Sequence, residues 1–188
     1  MGRRSENCYS CEVLWSGYRT LEFVKVYLIA FGKIRTPGLR QTTDYYLKLL
    51  SGFTKVEEIE LKPLTVSDKS EASRMQIQEK EAEIFLESVN RKISPRGKLF
   101  LLDETGESLP TRDWAKKIQN LENDSTPEIA LGIGSSLGFS KKVKEISTGQ
   151  FSLGPQTLSH ELARAVLCEQ LYRAWGVNRG HPYHVEGE

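Results

Sequence analysis

The side chains best suited to chemistry gather at the C-terminal end. All three histidines, His160, His181 and His184, lie there with Arg164, Arg173, Arg179, Tyr172, Trp175 and Tyr183. Histidine exchanges protons near neutral pH. Arginine presents a planar fork that matches phosphate, and Tyr or His rings stack on unpaired bases. Arg164 and Arg173 fall on one predicted helix about two and a half turns apart, on nearly opposite faces, so they meet different surroundings. The chain then runs R-G-H-P-Y-H, where Pro182 and the aromatic residues imply an ordered tail. A zinc site at His181 and His184 would need two more ligands. Cys8 and Cys11 form a lone C-Y-S-C far upstream, so no metal is expected. Cys168 reads as a small core residue.

A second group of candidates is made of loops. Residues 102–106, 134–138 and 154–159 each follow an apolar run and carry glycine, which lets backbone amides approach a ligand closely. The G-S-S-L-G turn lacks the Lys-Ser/Thr pair of a phosphate loop. It also lacks the third glycine and later acidic residue of a dinucleotide fingerprint.

These loops need a scaffold, and the periodicity supplies one. Val24 begins V-K-V-Y-L-I-A-F-G, a buried strand that enters a loop at Gly32. Thr36-Pro37 starts a helix over residues 37–51, with Leu39, Thr43, Tyr46 and Leu50 on one face. A strand follows at 56–61, then a helix over 70–92 with Ile77, Ile84, Phe85 and Val89 inward. Glu79, Lys80, Glu81, Glu83 and Glu87 are expected on its solvated face. Strands at 98–102, 128–133 and 151–153 then alternate with helices capped by Thr111, Ser140 and Ser159, the last running to about residue 176. Its inward stripe is Leu162, Ala163, Val166, Leu167, Leu171 and Ala174. Strand–helix alternation predicts an α/β domain with a mostly parallel sheet, and such sheets bind ligands beyond the carboxyl ends of their strands. All three glycine-bearing loops occupy that position.

The chain has 188 residues, 26 basic and 25 acidic side chains, and a net charge of +1. That balance gives no large basic face, so RNA contact must come from local clustering. No apolar run reaches the roughly 18 residues needed to span a bilayer. The odd cysteine count and the lack of a secretory segment point to the cytoplasm. Residues 1–23 show no period and are expected outside the catalytic fold, which runs over 24–188.

From residue 24 onward the chain resembles the RlmH family of the SPOUT class of RNA methyltransferases. T-L-S-H-E-L-A-R (157–164), E-Q-L-Y-R-A-W (169–175) and H-P-Y-H (181–184) are similar to that family's T-x-P-H, E-x-x-Y-R-A and H-P-Y-H signatures, and V-K-V-Y-L-I-A-F-G-K to its first strand. The resemblance implies an α/β fold with a C-terminal trefoil knot, S-adenosylmethionine as cofactor, and a homodimer whose active site forms near the subunit interface. It also implies methylation at N3 of a pseudouridine in 23S ribosomal RNA, within the ribosome rather than on DNA or a membrane. The implied cofactor residues are Leu102, Gly134, Ser135, Gly154, Pro155, Gln156, Thr157, Leu158 and Ser159. His160, Arg173 and Tyr183 are implied around the base, and Arg164, His181 and His184 on the RNA. Two positions depart from the family pattern: Ser135 replaces a glycine of I-G-G-x-x-G, and Ser159 replaces the proline before the histidine. The alternatives are a SPOUT enzyme with another RNA target and a non-catalytic ribosome-associated protein that kept the fold.

Overall fold

The computed structural model describes residues 24–66 and 70–181. The expectations for residues 1–23, Tyr183 and His184 therefore lie outside the described residues.

Strand β1 (Lys25–Phe31) is buried along nearly its whole length. Its side chains alternate between two apolar layers. Val24, Val26, Leu28 and Ala30 enter one core, and Tyr27, Ile29 and Phe31 enter the other. A strand buried on both faces must be covered on both. The elements that follow do this: α1 (Pro37–Leu50), β2 (Val56–Leu61), α2 (Glu71–Lys92), β3 (Lys98–Ser108), α3 (Thr111–Asn123), β4 (Glu128–Ile133), α4 (Lys141–Ile146), β5 (Gly149–Ser152) and α5 (His160–Asn178). Residues of α1, α3 and α5 pack in the first core, and residues of α2 and α4 in the second. The five strands lie in the order β2-β1-β4-β3-β5 and every pairing is parallel. Parallel strands put all their carboxyl ends on one edge. No described helix is long and apolar enough to cross a membrane.

Several expectations change in detail. The third strand does not stop at Leu102: Leu102 and Glu107 both pair with Phe151, so residues 103–106 bulge out and the strand resumes to Ser108. Gly106 is required in that bulge, because a Cβ there would lie 2.7 Å from the backbone carbons of Gln150 and Phe151. Pro110, not Thr111, holds the N-cap position of α3. Ser159 does cap α5, its Oγ accepting from the Leu162 amide at 3.2 Å. Leu162, expected inward, is 39% exposed.

Glu81 is the clearest departure. Expected on the solvated face of α2, it is 3% exposed. The reason is legible in the spacing: Glu81 stands four residues after Ile77 and four before Phe85, inside the apolar stripe. A buried carboxylate must have its oxygens occupied, and these are. Oε1 accepts from the Leu64 amide at 2.9 Å, and Oε2 from the Ser135 hydroxyl at 2.6 Å.

Candidate functional site

At the carboxyl edge of the sheet, the ends of β3, β4 and β5 and the start of α5 enclose a cleft of about 710 Å³. Leu102, Ile133, Phe139, Phe151 and Leu153 give it apolar walls, and Asp103, Glu104 and Thr105 of the bulge face it. Of the nine residues implied for the cofactor, Leu102, Gly134, Ser135, Gly154, Gln156, Thr157, Leu158 and Ser159 line this cleft, and Pro155 does not. His160 and Ala163, on the first turn of α5, complete the wall.

The loops are held by short polar contacts. The Asp103 carboxylate takes an ion pair from Lys144 at 2.5 Å and accepts from the Thr105 amide and hydroxyl at 3.0 and 2.6 Å. Burial alone would push its pKa up, but these donors outweigh it and hold Asp103 below the ordinary carboxylate value. Across the cleft, the Thr157 hydroxyl donates to Glu104. Gly154, at φ 138°, turns the chain after β5, and the Ser152 hydroxyl closes that turn by donating to the Gly154 carbonyl at 2.7 Å. In the middle loop, the Gly138 amide donates to the Ser135 carbonyl at 3.0 Å, with Gly138 at φ 70°. Ser135 itself keeps an ordinary backbone, since Ser125 is the one non-glycine residue of positive φ among those described. A side chain is tolerated there because it turns to Glu81.

His160 is fixed from the opposite side. Gly32, at φ 87° after β1, lies so close that a Cβ would sit 2.7 Å from the histidine Nε2. Its neighbour Glu161 accepts from the backbone amides of Thr36 and Arg35 at 2.9 and 3.1 Å, which lowers the Glu161 pKa. The Thr36 side chain caps none of the α1 amides, and Glu161 binds instead the two amides that precede the helix. The two helix starts are thereby tied together beside the cleft.

Residues 24–184 match the family described as predicted SPOUT methyltransferases. The chain belongs to the SPOUT methyltransferase family. A protein of Streptococcus gordonii named ribosomal RNA large subunit methyltransferase H is 38% identical over 162 residues, covering 86% of this chain and 99% of that protein. Proteins of the same name from Oenococcus oeni and Enterococcus faecalis are each 35% identical over the same shares of both chains.

This SPOUT methyltransferase does not bring all its implied site residues together within one chain. Arg173 lies on α5 about 20 Å beyond His160 at the helical rise of 1.5 Å per residue. It pairs with Glu169 one turn earlier. His181, past the end of α5, packs edge-on against Phe53 and Tyr172, with ring centres 6.2 and 6.3 Å away.

Arg164, assigned to RNA from the sequence, must be reassigned. It is 0% exposed. Its guanidinium donates to Glu58 at 3.0 Å, to Glu60 at 2.9 Å and to the Gly32 carbonyl at 2.7 Å. A cation so enclosed serves the junction of β1, β2 and α5 and has no face left for phosphate. Cys168 is buried as expected, and burial pushes its thiol up to about 12.

Sequence reasoning missed Glu81, Gln78 and Lys144. The first was signalled by its place in the apolar stripe. For Gln78 and Lys144 no local pattern gave notice, because their roles depend on which loop the fold lays against them.

Proposed function

We propose that the cleft holds S-adenosylmethionine and that the protein methylates N3 of a pseudouridine in 23S ribosomal RNA. The observation that carries this reading is the convergence of three strand-end loops and His160 on one cleft, in a chain of the methyltransferase family. The naming of the Streptococcus gordonii, Oenococcus oeni and Enterococcus faecalis relatives as ribosomal RNA large subunit methyltransferases supports the substrate. The cleft suits the cofactor. Its volume is within the roughly 300–1,000 Å³ of small-molecule sites, and its apolar walls and bulge carboxylates match an adenosine with a cationic amino acid.

The bound cofactor supplies an electrophilic methyl group, so the protein's task is alignment and handling of one proton. Residues 102, 134, 135, 154 and 156–159 hold the donor. The acceptor nitrogen carries a proton and must lose it before attack. His160, fixed against Gly32 at the cleft wall, takes that proton or steadies the resulting anion. Arg173, Tyr183, His181 and His184 act on the RNA side.

These acceptor-side groups reach the cleft from a second copy of the chain. Two features support a homodimer built on α5. Arg173 is about 20 Å from His160 along one helix. Leu162, Val166 and Val177 share a face of α5 with Arg173 and none of them is buried, Leu162 and Val177 being 39% and 37% exposed. The trefoil knot and a cytoplasmic setting on the ribosome belong to the same reading.

Calorimetric titration of the purified chain with S-adenosylhomocysteine tests it. Saturable heat is expected, competed by S-adenosylmethionine. A folded chain that takes up neither would overturn the enzymatic reading in favour of a knotted binding protein.

A further inference from the structure

The donor-side turn is gripped by α2, whose Gln78 lines the cleft while Glu81 does not. Gln78 and Glu81 are three residues apart on α2, so they share a face. The Gln78 amide nitrogen donates to the Leu137 carbonyl at 2.5 Å. Glu81 accepts the Ser135 hydroxyl at 2.6 Å, a charge-assisted bond of the stronger kind. The Ser135 oxygen also accepts from the Leu137 amide at 3.2 Å. The Ser135 carbonyl meanwhile closes the turn by accepting from Gly138. Three of the bonds that shape residues 135–138 thus pass through Ser135, and the outermost ends on a buried carboxylate. The other oxygen of that carboxylate holds the Leu64 amide, just past β2.

We infer that Glu81 and Ser135 form a brace that presets the donor-binding turn, making both of them positioning residues for the methyl donor. A glycine at position 135 would leave the turn free to sample other shapes. Here the hydroxyl, anchored away from the cleft, replaces that freedom with a fixed partner. Affinity then depends on the brace because the turn does not have to be ordered when the cofactor arrives. The inference rests on the cleft being the S-adenosylmethionine site, and its test separates the two.

Ser135→Ala removes the donor while adding no bulk. Its affinity for S-adenosylhomocysteine is expected to fall roughly tenfold or more, the scale of a lost hydrogen bond to a charged group. Ser135→Thr keeps the hydroxyl and should restore affinity to within about threefold. Glu81→Leu, which removes both acceptor oxygens, should weaken binding, and adding Ser135→Ala to it should cost much less than Ser135→Ala alone, because the bond that Ser135→Ala breaks is already gone. Turnover at saturating cofactor should move much less than KM for the cofactor. Melting temperatures of the free variants, taken alongside, report any general loss of stability. Parent-like affinity in Ser135→Ala, or strictly additive losses in the double variant, would overturn the brace even if melting temperatures fall. Absence of binding by the unaltered chain would instead overturn the reading of the cleft, and the brace with it.

Discussion

His160 and Gly32 are in contact across the junction of β1 and α5, with the imidazole Nε2 occupying the space where a Cβ on Gly32 would project. The glycine is needed twice over, once for its φ of 87° and once for the ring that lies on it. Replacing Gly32 with Ala is therefore expected to displace His160 from the cleft wall. Methyl transfer should fall at least tenfold, with a stability loss of about 1–2 kcal/mol from the strained backbone. Single-turnover assays and urea unfolding of the same preparation would measure both. Parent activity in Gly32→Ala would mean that the position of His160 is not critical.

Arg164 behaves as a structural cation. Among the described residues, Arg164→Met leaves Glu58 and Glu60 to pair with Arg40 alone, at 2.8 Å from Glu58 and 3.9 Å from Glu60. Breaking such a buried pair costs about 3 kcal/mol, less whatever solvent reaches the partly exposed carboxylates. The urea midpoint should drop accordingly. A variant of unchanged stability that bound ribosomal RNA more weakly would restore the sequence-based assignment of Arg164 to RNA.

The pH dependence of the cleft follows from Asp103. Its carboxyl is held below the ordinary value of 3.8 by Lys144 and Thr105 against the opposing effect of burial. A depressed carboxylate stabilises the fold above its unfolded pKa and loses that contribution as pH falls through the folded value. The melting-temperature gap between the parent and Asp103→Asn should be constant from pH 6 to 8 and close below about pH 4. A gap that widened in acid would reverse the sign of the assignment.

Much of this fold could be read from residues alone, and the reasons are particular. The alternation in β1 announced two apolar layers, and Ser159 announced the start of α5. The bulge at residues 103–106 was invisible because it arises from register against β5, which no local pattern encodes. Ser135 was recognised as unusual for its family, but its partner was not, since Glu81 reads as one more charge in a charged helix. Arg164 was misread for a related reason: an arginine beside a histidine looks like a phosphate contact until β2 brings two carboxylates to it. The three-loop cleft was legible because strand ends in a parallel sheet share one edge. The distance between His160 and Arg173 was also legible, although its consequence appears only when the helix is seen as one straight element.

That distance makes a two-chain experiment decisive for the dimer. His160→Ala and Arg173→Ala chains, each inactive alone, should regain activity when mixed and allowed to exchange subunits. One of the two sites in a mixed dimer then has an intact His160 from one chain and an intact Arg173 from the other. Recovery of up to about half the parent rate per mixed dimer is expected from one intact site in two. Mixed dimers, verified by mass, that stay inactive would place both residues in the same chain's site, whereas an Arg173→Ala chain active on its own would remove Arg173 from the site.

Methyl transfer itself is the most direct readout of the cleft's function. The purified protein is incubated with S-adenosylmethionine labelled in its methyl group and with ribosomes lacking the modification, and the large-subunit RNA is digested and sequenced by mass. The label is expected on a single nucleotide of 23S RNA, at N3 of a pseudouridine, and absent when Gly134, whose Cβ would already lie 3.3 Å from the Gly138 backbone, is replaced by Trp. Label on a different RNA would redirect the substrate while preserving the cleft. No label on any RNA, from a folded chain that binds the cofactor, would contradict the central claim.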